Sequence, residues 1–162
     1  IMSDQDQKEP EKPKEKSQRK SRRRKKRLRG FAGIIKNQLE PLNGSEYFKE
    51  NYSDFEAKIL LNNTDDRHAA YVKFKDGKVD IDSIKKPKRK ERGKVPNPLK
   101  NIEYDGYMEC DTELFFAIAK GDISKLGLLK MVITRKIKGV STMITFSKFF
   151  KIAYYEQKKK KE

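Results

Sequence analysis

The chain of 162 residues has no tryptophan, one cysteine and one histidine. A lone Cys110 permits no internal disulfide, a pattern that suits a reducing compartment. One Cys and one His also leave no Cys/His metal cluster. Long apolar runs are missing too. The longest, Leu114 to Ala119, is six residues, against the roughly 18 that a membrane span needs. The opening residues are polar and rich in Lys, Glu and Arg, so no secretory signal is expected there. There is no GxGxxG and no GxxxxGK[ST], hence no nucleotide loop. His68 lies in a polar turn, and no Ser or Cys can be tied to it. Catalysis has no visible equipment. The expectation is a protein that is not an enzyme and carries no cofactor.

Positive charge is what the chain has in excess. Lys and Arg number 40 against 24 Asp and Glu, giving a net charge of +16. The excess is uneven. Residues 1–30 carry +8, residues 31–157 carry +5 and residues 158–162 carry +3. The first segment alternates Lys, Glu and Pro, then becomes almost wholly basic from Arg19 to Arg29. It cannot bury enough apolar surface to offset chain entropy, so residues 1–30 are read as a disordered basic tail. Residues 158–162 form a second, shorter one.

Order is expected from Phe31. Ile34, Ile35, Leu39 and Leu42 sit at helical spacings, and Ser45 can cap a short second helix. The period then changes to two. Phe55 to Leu61, Ala70 to Phe74 and Val79 to Ile81 read as three strands, the last two joined by the hairpin signal Asp76-Gly77. Residues 85–101 are a basic, Pro-containing loop. Ile102 to Cys110 alternates as a fourth strand, with Cys110 on its inward face as a buried structural thiol. Asp111 or Thr112 caps an apolar helix over 113–120, closed by Gly121. A short helix over 124–129, a fifth strand over 131–138 and a last helix from a Ser141 cap to about Glu156 complete the chain.

The two late helices carry more large apolar residues than one narrow stripe each requires. Leu114, Phe115, Phe116 and Ile118 belong to the first; Met143, Ile144, Phe146, Phe149, Phe150 and Ile152 belong to the last. Core packing accounts for many of them. The sharper alternative is an apolar cavity held open against the sheet, since ligand sites are concave and mainly apolar; the sequence alone does not separate a filled core from a hollow one.

Three motifs carry a family resemblance: FKDGKV over Phe74 to Val79, YMECDTELFFAIAKG over Tyr107 to Gly121, and RKIKG over Arg135 to Gly139. In this order they resemble the sterol carrier protein type-2 domain across roughly residues 33–155. The resemblance implies an α/β (α+β) domain over residues 31–157. Its five-stranded, mostly antiparallel sheet would be covered by helices on one face and enclose an apolar cavity. It also implies non-catalytic binding and transfer of a sterol, fatty acid or related lipid. Carried over by position, the lining would be Leu114, Phe115 and Ile118, then Met131 and Ile133, then Ile144, Phe149 and Phe150.

A lipid carrier must reach a membrane. The tail cluster Arg22, Arg23, Arg24, Lys25 and Lys26 and the loop cluster Lys88, Arg89 and Lys90 are expected to meet anionic headgroups. Each basic residue near such a surface contributes about 1 kcal/mol. The expected location is cytoplasmic, with peripheral membrane contact. The competing reading is a basic nucleic-acid- or ribosome-associated protein whose tail binds phosphate. Its weakness is the near-ordinary charge of residues 31–157 and the lack of aromatics interleaved with a basic face.

Overall fold

The computed structural model describes residues 27–120, 124, 126, 127, 130 and 139–162. Helix α1 (Gly30–Leu39) buries Phe31, Ala32, Ile35 and Leu39, one stripe of a 3.6-residue repeat. Its first turn is tied down from afar: the Phe31 amide donates to Asp66 Oδ2 at 2.7 Å. Pro41 lies in the 3-10 turn Glu40–Gly44 that ends it. Ser45 then caps α2 (Glu46–Tyr52), its Oγ accepting from the Phe48 amide at 3.1 Å.

Strands β1 (Ala57–Asn63), β2 (His68–Lys75) and β3 (Lys78–Lys85) form an antiparallel meander. Asp76 and Gly77 both have positive φ, 53° and 65°, the pair of left-handed residues that a two-residue hairpin of matching twist requires. His68 opens β2 rather than sitting in a free turn, and its Nδ1 lies 3.5 Å from Asp66 Oδ1. Strand β4 (Gly106–Cys110) joins the far edge, parallel to β1, giving the order β3-β2-β1-β4. Two of the three pairings are antiparallel.

That topology dictates the path of residues 86–105. A chain leaving one edge strand must cross the sheet to start the opposite edge strand in parallel. It crosses the face the helices leave open. Leu99 packs there on Leu60 and Ala69, with Tyr71, Ile84, Ile102 and Tyr107 partly buried around them. The basic loop of the sequence is thus a structured cover with two 3-10 turns, Arg89–Glu91 and Pro98–Asn101. The sheet has two apolar faces to cover, where the sequence pattern showed one.

On the main face, Ile59, Leu61, Ala70, Val72, Phe74, Val79, Ile81, Met108 and Cys110 point toward the helices. Helices α3 (Thr112–Lys120) and α4 (Val140–Lys159) pack there with α1. Asp111 caps α3, accepting from the Leu114 amide at 2.7 Å. The N-cap of α4 is Gly139 at φ 82°, not Ser141, which falls inside the first turn. A Cβ at Gly139 would stand 1.7 Å from the Tyr107 carbonyl oxygen. Only glycine fits where the chain presses against β4 in a left-handed conformation. The expected fifth strand over 131–138 lies outside the described residues, and the helix expected over 124–129 lies largely outside them. Among the described residues the sheet has four strands.

Candidate functional site

Helices α3 and α4 bring most of the expected lining together. Phe115 and Phe149 are 2% exposed, Phe150 and Ile118 are 8% exposed, and Leu114 is half-buried. These rings touch one another. Phe74 stacks on Phe149 at 4.6 Å between centroids, Phe146 meets Phe150 at 5.1 Å, and Phe115 meets Phe150 at 5.6 Å and Phe31 at 5.3 Å. Phe149 also meets Tyr52 at 5.2 Å and Phe55 at 5.3 Å. Such separations are those of packed aromatic cores. Among the described residues, the rings of Phe115, Phe149 and Phe150 pack against other rings between sheet and helices. Ile144 is 55% exposed on α4, away from the other expected lining. Met131 and Ile133 lie outside the described residues.

Open apolar space lies one layer further out. A groove of about 480 Å³ runs between α3 and α4, with Phe116, Ala119, Phe150 and Tyr154 along its walls. Its volume falls within the ~300–1,000 Å³ typical of small-molecule sites. Lys120 and Lys151, both exposed, stand at its rim, and Gln38 of α1 also borders it. Phe116, Ala119 and Tyr154 were not singled out as lining from the sequence. Their spacing was visible: 116, 119 and 120 on one helix, and 150, 154 and 157 on the other, share faces.

The remaining candidate residues are placed as follows. Lys88, Arg89 and Lys90 are exposed on the loop, where the Lys88 amide donates to Glu91 Oε2 at 2.9 Å. Arg22 to Lys26 lie outside the described residues. The Cys110 thiol is buried, and burial, reinforced by Asp111, Asp65 and Glu109, pushes its pKa up to about 12. That burial is what its strand position indicated. No group of three or more metal-ligating side chains occurs among the described residues, and no described helix is long and apolar enough to cross a membrane.

No family model and no curated protein sequence matches the chain. Solved structures do. One, a UbiJ-SCP2 ubiquinone synthesis protein, is similar over 79% of this chain and 98% of its own, with a TM-score of 0.50 and 12% identity. The fold is sterol-carrier-like. A second similar structure is a conserved hypothetical protein of Thermus thermophilus, named as a candidate sterol carrier protein. It has a TM-score of 0.45 and 13% identity over 74% of this chain and 82% of its own. The sterol-carrier-like fold is the mixed α and β architecture read from the three sequence motifs. Within it Phe74 of the first motif and Phe115 of the second both enter the ring cluster beneath the α3–α4 groove.

Proposed function

We propose that the chain is a non-catalytic binder and carrier of an amphiphilic lipid, held in the groove between α3 and α4. The observation that carries this reading is the groove's chemistry: an apolar bed of Phe116, Ala119, Phe150 and Tyr154 with Lys120 and Lys151 at the rim. An acyl or isoprenoid chain laid on that bed leaves water at about 25 cal/mol per Å². Burying ~200 Å² of chain therefore yields ~5 kcal/mol before the cost of association. An anionic head meets the two ammonium groups, so a fatty-acid-like ligand is favoured over a neutral sterol. Phe115 and Phe149 serve as the floor that keeps the bed rigid. The sterol-carrier-like fold supports the reading, and a protein named for ubiquinone synthesis is consistent with a lipid as the ligand class.

Loose docking on anionic membrane belongs to the same proposal. The segments 22–26 and 88–90 are basic without an apolar face, so contact is peripheral and reversible by salt. Solvent extraction of purified full-length protein followed by mass spectrometry tests the binding. A near-stoichiometric lipid supports it. Recovery of no lipid, together with no saturable uptake of added fatty acid, would overturn it.

A further inference from the structure

The other face of the sheet holds a second concavity, independent of the lipid groove. It measures about 400 Å³ and lies between β1, β4 and the crossing loop. Among the described residues Lys86, Arg92 and Lys100 border it, with Glu109 as the bordering carboxylate. Lys86 reaches inward and is half-buried. Its ammonium donates to Asn62 Oδ1 at 3.0 Å and to the Asn63 carbonyl, both neutral. Burial pulls its pKa below the ordinary lysine value, with Arg92 pulling the same way and attraction to Asp66, Asp65 and Glu109 opposing it.

The acids near Lys86 attract it and also hold other groups. Asp66 accepts from the Phe31 and His68 amides, at 2.7 and 3.1 Å. Asp65 accepts from the Thr112 amide and hydroxyl, at 3.0 and 2.7 Å. Glu109 accepts from the Tyr107 hydroxyl and from Asn62 Nδ2. Among the described residues the side chains of Arg92 and Lys100 have no hydrogen-bond or ion-pair partner. Among the described residues the border of the concavity carries three cations and one carboxylate, with Asp65 and Asp66 near enough to attract Lys86. Pro87, Val95 and Leu99 add an apolar wall.

We propose that this concavity binds a small organic phosphomonoester, its phosphate between Lys86, Arg92 and Lys100 and its organic part against Pro87, Val95 and Leu99. The charge matches: three cations and one carboxylate suit a group carrying roughly −2 near neutral pH. Arg92 supplies a planar fork of donors to phosphate oxygens, and Lys86 and Lys100 supply point charges. The volume exceeds what a bare phosphate needs, and the apolar wall accounts for the remainder.

The test is a titration of isotope-labelled full-length protein with phenyl phosphate, read by backbone amide shifts. Saturable shifts at residues 62–64, 86–100 and 109 are expected. The double variant Arg92→Gln, Lys100→Gln should weaken binding at least tenfold while leaving the melting temperature unchanged, since both side chains are exposed. Phosphatidylcholine vesicles carrying phosphatidic acid form a second arm. Response of the same amides to phenyl phosphate assigns the phosphate to a soluble ligand, and response to the vesicles alone assigns it to a lipid headgroup. Shifts confined to the basic tail in both arms, or a double variant that binds like the native chain, would overturn the proposal.

Discussion

Replacing Phe149 by alanine separates a filled core from a hollow one. Phe149 is 2% exposed and lies within 4.6–5.7 Å of the rings of Phe48, Tyr52, Phe55 and Phe74. Truncating a ring so enclosed costs about 3–5 kcal/mol, combining lost transfer energy and the residual void. That is a large share of the ~5–15 kcal/mol that holds a domain together. A companion Phe149→Leu, which keeps most of the volume, should cost no more than about 1.5 kcal/mol. Urea unfolding monitored by circular dichroism gives both values, and the leucine variant provides a folded reference if the alanine variant is too unstable to measure. A Phe149→Ala loss below about 1 kcal/mol would refute the reasoning, because the ring would then border empty space rather than four aromatic neighbours.

Other perturbations follow from single contacts. Gly139→Ala places a methyl against the Tyr107 carbonyl at a left-handed φ. It should cost at least about 2 kcal/mol in the same unfolding assay. Asn43 clamps the outer edge of β3, its Nδ2 donating to the Val79 carbonyl at 3.0 Å and its Oδ1 accepting from the Val79 amide at 2.8 Å. Asn43→Ala should cost about 1–3 kcal/mol and speed hydrogen exchange at Val79. Burial raises the Asp66 carboxyl, but bonds from the Phe31, His68 and Arg67 amides outweigh it and hold the pKa below the ordinary 3.8. Its contribution to stability is therefore fully present above that value and lost as pH falls through the lower folded value. Acid titration of Asp66→Asn should lack this component. Cys110, with its pKa near 12, should resist iodoacetamide at pH 8 in the native chain and react once unfolded.

Local chemistry was legible in the sequence. Ser45 caps the helix it was expected to cap, Asp111 is the cap where Asp111 or Thr112 was expected, Asp76-Gly77 turns the hairpin, and alternation in β1 to β4 marks the buried face. What escaped was set by distant contacts. Nothing in residues 86–105 announces that Leu99 covers Leu60 and Ala69, because that follows from β4 joining β1 in parallel. The cap of α4 was placed at Ser141 on propensity. The close approach to Tyr107 moves it to Gly139. The apolar surplus of the late helices was legible, and in the structure Phe115, Phe149 and Phe150 pack among other rings while Phe116 and Tyr154 border a groove. Helical spacing shows which residues share a face, while volume decides whether Phe115 and Phe149 meet rings or space. Phe116 and Tyr154 line the groove because they sit one step further round the same helices.

The proposed lipid-binding role of the α3–α4 groove is tested most directly by filling it. Ala119 is half-buried on the groove wall, and Ala119→Trp places an indole where an acyl chain would lie. Fluorescent fatty acid is titrated into full-length native and variant protein, with thermal melts alongside. Saturable one-to-one binding by the native chain, lost in Ala119→Trp at an unchanged melting temperature, is the predicted result. A folded native chain that binds no fatty acid, or an Ala119→Trp variant that binds it equally well, would contradict the account.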